Sequence, residues 1–314
     1  MISYPKVSII IVNWNGLDDT IECLESIKSI TYLNYEVIVV DNGSEGNDAD
    51  ILQAKYGNNL TIIRNDKNFG FTGGNNIAIR HALNNFKPDY VLLLNNDTVI
   101  APEFLTEMVR AAEGDFLIGI VGPKTYLYDD PDRLQLVWFD VDMQRGQPHQ
   151  IGSGEIDRGQ YDSTRTVDYI QGSCFLIKRT AIDSIGLLDE AYFAYWEETD
   201  YCMRTRKAGY KILYVPLAKI WHKKSDRAVK PWYKTLRSSD QVKIAPQTVY
   251  LETLNNFRFM KKYATRQQYC CFLLNVFSYF FWWQCAIFLL YRRNTHLLCS
   301  YLRAVIAGLS LKAG

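Results

Sequence analysis

An alternation of continuous apolar runs with helical segments is the sequence feature that most constrains the fold of this 314-residue chain. The apolar runs are rich in β-branched residues, as is typical of strands buried on both faces of a sheet. Strands that alternate with helices build a doubly wound, mostly parallel sheet with helices on both faces, an α/β fold. The predicted strands are Val7–Val12, Glu36–Asp41, Leu60–Arg64, Tyr90–Leu94 and Ile118–Val121, and the predicted helices are Leu17–Ile30, Asp48–Tyr56, a helix that ends at Asn84, and Pro102 to about Ala112.

The alternation lapses between Lys124 and Asp168, where scattered Tyr, Asp, Gly and Gln residues predict loops and a small hairpin. Regular patterns then resume and complete one large domain, which we expect to cover residues 1–242. The further predicted elements are the strand Tyr169–Ile177, the helices Arg179–Ile185 and Tyr195–Ala208, and the short strands Lys211–Val215 and Ala218–Trp221.

The C-terminal region, residues 243–314, is more basic than the rest of the chain. The whole chain carries a formal charge of +1, but the residues from Lys219 onward carry +13 and those before it carry −12. Such an asymmetry predicts an anionic partner, either a membrane surface or a nucleic acid. An uncharged, Trp- and Phe-rich stretch in the same region fits lipid better, so we expect no nucleic acid as partner.

That uncharged stretch is Cys270–Tyr291, 22 residues that follow a predicted helix over Val249–Lys262. Its length would let a helix cross a bilayer. Trp282 and Trp283 lie near its middle, however, and Trp prefers the membrane interface. We therefore favour a helix in the interface, or a shallow hairpin with residues 296–309, over a single spanning helix. A soluble helical hairpin packed on the main domain or on a second subunit, in a homo-oligomer, is the alternative.

The cysteine usage bears on the cellular compartment. The seven cysteines show no C-x-x-C spacing, and several lie in apolar runs, as buried thiols do. This usage is typical of a reducing compartment. No signal peptide precedes the first strand, because residues 1–6 lead directly into it. We expect a peripheral protein at the cytoplasmic face of the cell membrane.

A polar cluster, Asn95, Asn96 and Asp97, follows the predicted strand Tyr90–Leu94. Ligands of open α/β sheets bind at the carboxyl ends of strands. A carboxylate flanked by amides suits a divalent cation that phosphate oxygens also hold. Asn and Asp also favour turns, so a plain turn and a cation site are both open at this point.

Seven stretches share one order with the motifs of a known family. They are Val7–Gly16, Val40–Ser44, Asn68–Asn76, Leu93–Thr98, Gly172–Lys178, Tyr195–Arg204 and Ala208–Tyr210. With these motifs the chain, from residue 5 to about 225, resembles glycosyltransferase family 2, which has the GT-A fold, and within it the rhamnosyltransferase-like branch. The resemblance implies a nucleotide-diphosphate sugar as donor and a divalent metal, Mn²⁺ or Mg²⁺, as cofactor.

The resemblance implies a donor site around the ends of the first two strands. Asp41 would bind the N–H edge of a uracil or thymine ring, and Trp14 could stack on that ring. Asn13 and Asn96 are further candidates, since an amide can bind a ribose hydroxyl. The alternatives are a local turn over Gly43 for Asp41 and a core position for Trp14.

The glycine-rich stretch Asn68–Asn76 is not a dinucleotide fingerprint, because that motif should follow the first strand. Its glycines could let the backbone approach a ligand at a helix N-terminus, where free N–H groups favour anions. Gly73 and Asn75 are therefore candidate donor-binding residues. A tight connection that binds no ligand is the alternative.

By resemblance, Asp97 is the expected metal ligand and His222 completes the metal shell. The family's acidic motif has amides here, at Asn95 and Asn96, which removes negative charge and should lower the affinity for the metal. Imidazole suits Mn²⁺ better than Mg²⁺. A structural role for His222 is the alternative.

The segment Trp196–Asp200 opens a predicted helix with three acids in four residues. By resemblance, Glu198 occupies the position of the catalytic carboxylate, although the family usually has Asp there, and would act as general base. Trp196 and Glu197 are candidate acceptor-binding residues. The alternative is that the acids only stabilise the helix N-terminus, with Asp200 paired to Arg204.

Taken together, these motifs favour an inverting, metal-dependent glycosyltransferase. We expect dTDP-rhamnose as donor first, and a UDP-hexose or UDP-galactofuranose next. The acceptor would be a glycan or a lipid-linked glycan precursor of a cell-surface polysaccharide. A non-catalytic nucleotide-sugar-binding scaffold of a membrane assembly is the second reading, and the missing fingerprint disfavours a Rossmann oxidoreductase.

Overall fold

The computed structural model describes residues 4–223, 245–291 and 294–312. The chain forms two compact units. The first contains residues up to Phe139, then Gln150–Phe193 and Glu197–Ser225, and the second contains Asp140–His149, Ala194–Trp196 and the C-terminal residues from Asp226. The predicted boundary between residues 242 and 243 lies outside the described residues.

The described residues form twelve strands and ten α-helices. The strands are β1 Val7–Asn13, β2 Tyr35–Asp41, β3 Thr61–Arg64, β4 Tyr90–Asn95, β5 Thr98–Ile100, β6 Ile118–Leu127, β7 Leu134–Leu136, β8 Trp138–Asp142, β9 Gln147–Ile151, β10 Arg165–Val167, β11 Cys174–Lys178 and β12 Lys211–His222. The helices are α1 Leu17–Ile27, α2 Asp48–Tyr56, α3 Gly70–Asn85, α4 Phe104–Glu113, α5 Arg179–Ile185, α6 Glu197–Lys207, α7 Pro246–Tyr263, α8 Arg266–Asn275, α9 Phe281–Ala286 and α10 Thr295–Ser310.

The main sheet has the order β10-β12-β6-β11-β4-β1-β2-β3, with β5 beside β12 and β7 beside β6. Strands β3, β2, β1 and β4 are parallel neighbours, as predicted, and β6 and β12 are also parallel to each other. Strand β11 lies antiparallel between β4 and β6, so the sheet is mixed. The doubly wound α/β fold is confirmed, and the small hairpin predicted after Lys124 is the separate pair β8–β9.

The core of the first unit forms where the helices cover the apolar strands. Residues of α1 and α4, among them Leu24, Ile27, Phe104 and Met108, are buried in one cluster with β1 and β4. Each such side chain contributes about 1.5–3 kcal/mol to stability when it is fully buried. This packing fixes the carboxyl ends of the parallel strands, where the candidate site residues lie.

Several predicted boundaries were wrong. Helix α3 begins at Gly70, so most of the predicted glycine-rich loop is helical. Helix α6 begins at Glu197 rather than at Tyr195, because Tyr195 and Trp196 have φ values of 70° and 72°, which a right-handed helix cannot contain. The two short strands predicted after residue 211 form one strand, β12, which is irregular between Val215 and Lys219.

The second unit contains the predicted C-terminal helices. Residues 266–291 form α8 and α9, with π-helical turns at Val276–Phe280 and Ile287–Tyr291. Helix α10 packs against α7, where Gly308 lies directly on the ring of Phe257. The ring of Tyr301 on α10 lies 5.9 Å from that of Phe281 and 6.0 Å from that of Phe288. The predicted helical hairpin is therefore present.

One helix in the described ranges, Arg266–Leu289, is long and apolar enough to cross a membrane. Length and composition alone carry this finding, and a core helix of a soluble protein would meet the same criteria.

Candidate active site

The register between β5 and β12 brings Asp97 to His222. The two strands are antiparallel with Thr98 opposite His222, and the backbone N–H of Lys223 donates to the carbonyl oxygen of Asp97 at 2.9 Å. Asp97 Oδ1 consequently lies 3.0 Å from His222 Nε2, and both side chains are buried. The two residues that the sequence predicts as metal ligands are thus neighbours at the carboxyl end of β4.

A second contact fixes the His222 ring. Its Nδ1 lies 2.9 Å from Oε1 of Gln135, a fully buried residue on β7. Because Gln135 Oε1 can only accept, Nδ1 donates its proton to this oxygen, and Nε2 is the ring nitrogen that faces Asp97 Oδ1. The amide nitrogen of Asn95 is 3.4 Å from the same Nε2, so one amide of the predicted motif also borders the pair.

These residues fit a divalent cation in part. Two neighbouring ligands of an octahedral ion with bonds of about 2.1 Å are about 3.0 Å apart, which is the separation of Asp97 Oδ1 and His222 Nε2. Within the described residues no group of three or more His, Cys, Asp or Glu side chains surrounds this point. The chain could therefore supply one carboxylate, one imidazole and amide oxygens, and phosphate oxygens and water would have to complete the shell.

Two predicted donor-binding amides make hydrogen bonds inside the protein. Asn13 is fully buried, accepts the hydroxyl proton of Thr20 at 2.8 Å and donates to Asp48 at 2.9 Å. Asn96 donates to Thr20 Oγ1 at 3.1 Å and to the Gly16 carbonyl at 3.3 Å. Both amides join the end of a strand to the β1–α1 connection, and their roles toward a donor stay predictions.

Asp41 and Trp14 lie at the ends of neighbouring strands. In the pairing of β1 with β2, Asp41 is opposite Asn13, the residue before Trp14. The Asp41 carboxylate accepts the Ser44 N–H at 3.2 Å across Gly43, whose φ is 76°, so the local turn is present. Trp14 is 54% exposed, which excludes a core position for its ring. Base recognition by these two side chains stays a prediction.

The glycine-rich segment connects two parts of the site. Gly73 and Asn75 lie inside α3, where the Asn75 amide donates to the Phe71 carbonyl at 2.8 Å. Asn76 donates to the Leu188 carbonyl at 2.9 Å and accepts the Leu188 N–H at 3.1 Å. Gly70 has a φ of 75°, and a Cβ there would collide with the Phe193 carbonyl. The motif thus holds the segment that precedes α6, while donor binding by Gly73 and Asn75 stays a prediction.

The acids at the start of α6 are removed from water. Glu197 is buried and Glu198 is half-buried. Burial raises the pKa of Glu197 well above its ordinary value, and the Glu198 charge raises that pKa further. Burial also raises the pKa of Glu198. Among the described residues, neither Oε2 atom has a hydrogen-bond partner. Asp200 instead pairs with Arg204 at 2.8 Å, as predicted.

A short loop links Glu198 to the end of β4. The Asn95 N–H donates to the Ser173 carbonyl at 2.9 Å. The neighbouring Gly172 lies beside Glu198, because a Cβ at residue 172 would be 3.4 Å from Glu198 Cβ. Through this loop, the Glu198 side chain and the Asp97 segment border one edge of the sheet.

Trp196 belongs to the second unit. Its ring centroid is 5.2 Å from that of Phe259 on α7. Acceptor binding by Trp196 and Glu197 stays a prediction.

Sequence reasoning missed three residues that build this site. Gln135 lies in the stretch with no regular pattern, so no signal marked it. Gly172 begins the family-like stretch Gly172–Lys178, but the sequence predicts no role for it. Asn42, in the motif Val40–Ser44, donates to Asn68 Oδ1 and to the Gly70 carbonyl, both at 3.0 Å, and so holds the start of α3.

Comparison with known proteins identifies relatives of this chain. It is 31% identical over 232 residues to an uncharacterized protein, y4gI, of Sinorhizobium fredii, covering 70% of this chain and 25% of that protein. It is 26% identical over 212 residues to the low-salt glycan biosynthesis hexosyltransferase Agl10 of Haloferax volcanii, covering 66% and 63%. It is 27% identical over 223 residues to the N-acetylglucosaminyl-diphospho-decaprenol L-rhamnosyltransferase of Mycobacterium tuberculosis, covering 64% and 71%. The match thus spans less than two thirds of the first two of these relatives.

Solved structures share the fold at low sequence identity. A mannosyltransferase of Pyrobaculum calidifontis, in complex with GDP-Man and Mn²⁺, matches 100% of this chain and 77% of its own, with a TM-score of 0.57 and 15% identity. GalNAc-T7 with UDP, GalNAc and Mn²⁺ matches 79% of this chain and 48% of its own, with a TM-score of 0.58 and 16% identity. The predicted GT-A fold is confirmed. Residues 8–186 match the family model of glycosyl transferase family 2, and this chain belongs to that family.

Proposed function

We propose that this protein is an inverting glycosyltransferase that moves a sugar from a nucleotide-diphosphate donor to an acceptor hydroxyl. One observation carries the proposal: the Asp97–His222 pair and the Glu198 carboxylate border one sheet edge, joined through Asn95, Ser173 and Gly172. The Asp97–His222 pair would bind a cation that holds the donor diphosphate, and the half-buried Glu198 carboxylate would accept the proton of the acceptor hydroxyl.

Glu198 is the proposed general base. It would take the proton of the acceptor hydroxyl as that oxygen forms a bond to the anomeric carbon. The bond from that carbon to the diphosphate oxygen breaks on the opposite face, so a single displacement inverts the anomeric configuration. Burial supports this role, because a raised pKa makes the ionised carboxylate a stronger base.

Asp97 and His222 are the proposed protein ligands of a divalent metal, Mn²⁺ or Mg²⁺. Such a metal, when bound, stabilises the charge of the departing diphosphate. The short distance between the two side chains and the Mn²⁺ in both related folds support this assignment. The amides at Asn95 and Asn96 leave the site with fewer charges than a set of three acids, so we expect modest affinity.

The donor is proposed to be dTDP-rhamnose, with a UDP-hexose or UDP-galactofuranose next. The rhamnosyl- and hexosyltransferase names of the relatives support this order. A lipid-linked glycan acceptor is supported by the decaprenol-linked substrate in the name of the mycobacterial relative.

Peripheral attachment to the cytoplasmic membrane face is proposed for the C-terminal helices. Leu274, Trp282 and Ile306, large apolar side chains of the C-terminal helices, are 70%, 66% and 66% exposed, and exposed apolar side chains of this size favour a membrane or protein partner. Every one of the seven cysteines is free, as a reducing compartment requires.

A thermal-shift screen of nucleotide sugars, with and without Mn²⁺, tests the proposal, since a ligand that binds only the native state raises its stability. We expect one donor to raise the melting temperature only with the metal, and to be hydrolysed or transferred. Binding without hydrolysis or transfer, for every common nucleotide sugar, would instead favour the non-catalytic scaffold.

A further inference from the structure

The inference concerns Gln135, a fully buried glutamine on the short strand β7. Its neighbours Leu134 and Leu136 are buried apolar residues. Because side chains alternate along a strand, Gln135 points away from these two leucines and toward His222. Burying an amide is costly unless the amide is hydrogen-bonded. A buried glutamine at this position therefore indicates that its amide has a hydrogen-bonding role.

Strand β7 is held firmly from both sides. On one side it pairs with β6. On the other, the Leu134 N–H donates to the Glu155 carbonyl, and the Gly154 N–H donates to the Leu134 carbonyl, both at 2.8 Å. Gln135 therefore contacts His222 from a rigid backbone.

The loop beyond Glu155 is itself anchored by a buried lysine that pairs with two aspartates. Lys124 on β6 is fully buried, and its Nζ lies 2.9 Å from Asp157 and 2.6 Å from Asp162. The Tyr126 hydroxyl donates to the same Asp157 at 2.5 Å. This cluster fixes the 154–162 loop, and with it β7.

We propose that Gln135 is a positioning residue for His222. Its Oε1 accepts the Nδ1 proton at 2.9 Å, which selects the imidazole tautomer with the lone pair on Nε2. That lone pair and Asp97 Oδ1 would then both face a bound cation, which removes the repulsion between two acceptors only 3.0 Å apart. The inference rests on the proposed function, in which Asp97 and His222 hold the metal of the donor complex. Partners of this kind orient ligating histidines and raise their basicity.

The test compares Gln135→Leu, which removes the acceptor at similar volume, with Gln135→Glu, which keeps an acceptor. The matched control is Tyr126→Phe, which removes a buried hydrogen bond from the same anchoring network but leaves Gln135 and His222 intact. Two quantities are measured: Mn²⁺ affinity without any donor, and the ¹⁵N chemical shifts of the four histidines at a pH where imidazole is neutral. The shifts are recorded in an Asp97→Ala background, with and without Gln135→Leu, because the Asp97 carboxylate 3.0 Å from Nε2 would otherwise compete for the imidazole proton.

We expect His222 to be protonated at Nδ1 in Asp97→Ala, and the added Gln135→Leu to remove this preference. Mn²⁺ affinity should fall about 10- to 100-fold in Gln135→Leu, as for other partners of metal-binding histidines. It should stay within a few-fold of wild type in Gln135→Glu and Tyr126→Phe. His222 protonated at Nε2 in Asp97→Ala, or equal Mn²⁺ affinity in Gln135→Leu and wild type, would overturn the proposal.

Two failures can be told apart. A wild-type protein that binds no Mn²⁺ contradicts the metal in the proposed function, while the ¹⁵N shifts still decide whether Gln135 sets the tautomer. If Gln135→Leu does not fold, the His222 tautomer in Asp97→Ala and the Mn²⁺ affinity of Gln135→Glu decide the question without it.

Discussion

Glu198 packs its side chain against the backbone of Gly172: a Cβ at residue 172 would lie 3.4 Å from Glu198 Cβ and 3.7 Å from its carboxyl carbon. A single methyl group at this distance makes an ordinary van der Waals contact, whereas a branched side chain must displace the carboxylate. The space beside Gly172 therefore sets where the proposed base can lie.

We accordingly expect Gly172→Val to lower kcat at least tenfold, because an ångström-scale shift of a catalytic group is costly. Gly172→Ala is the matched control and should retain most of the activity. Steady-state kinetics with a saturating donor distinguish the two. Equal kcat for both variants would show that the Glu198 position is not critical.

Replacing Glu198 by Gln should abolish turnover while the donor still binds. The amide cannot accept the acceptor's proton, and general-base catalysis contributes at least about 100-fold. We expect kcat to fall by that factor or more, with the donor-induced thermal shift retained. If Glu198→Gln kept more than about a tenth of the wild-type rate, the general base would have to be another residue.

Glu197 should make stability depend on pH. Its pKa is raised by burial and by the neighbouring charge, so the folded state holds this proton more tightly than the unfolded state. The wild type should then lose stability relative to Glu197→Gln as pH rises above the ordinary Glu value of 4.5, by up to about 1.4 kcal/mol per pH unit. Urea unfolding at several pH values measures this difference. The exposed Glu103→Gln is the control and should show no such trend; a pH-independent difference for Glu197→Gln would contradict the prediction.

Asn255 on α7 holds a strained turn in the second unit. Its amide donates to the carbonyl oxygens of Ala194 and Tyr195, both at 2.9 Å, and Tyr195 and Trp196 are in the left-handed region. Asn255→Ala should cost about 1–3 kcal/mol of unfolding free energy, because two carbonyls lose their donor.

Adding Tyr195→Gly to Asn255→Ala should restore part of this loss, since glycine adopts a positive φ without strain. Urea denaturation of the single and double variants gives the comparison. A double variant that is less stable than Asn255→Ala would argue against backbone strain at this turn.

Membrane attachment should depend on the exposed apolar residues of the C-terminal hairpin. Deleting residues 268–314 should release the protein from membranes, but it would also uncover the α7 surface that α10 covers. The triple variant Leu274→Ser, Trp282→Ser and Ile306→Ser is a cleaner test, because these side chains face solvent. We expect it to move from vesicle-bound to free in a sedimentation assay with anionic vesicles.

The matched control for that assay is Phe116→Ser in the first unit, where the side chain is 79% exposed. It should leave vesicle binding unchanged. Equal binding by the triple variant and the wild type would exclude the hairpin as the attachment surface.

The sequence by itself determined the elements whose signals are local. Runs such as Val7–Val12 and Tyr90–Leu94 are apolar because both faces of those strands are buried, and the helix Asp48–Tyr56 was predicted to the residue. Polar residues directly after these strands indicate the candidate site, since ligands of open α/β sheets bind at the carboxyl ends of the strands. The ordered motifs then sufficed to indicate the family.

Tertiary structure alone decided which distant side chains meet. Asp97 and His222 are neighbours because β5 and β12 pair in one register, and a register between strands far apart in sequence leaves no local pattern. Gln135 reaches His222 from a segment with no periodicity, and the left-handed turn before Glu197 depends on contacts with α7. Periodicity along a chain reports which face is buried; it carries no information on the partner that buries it.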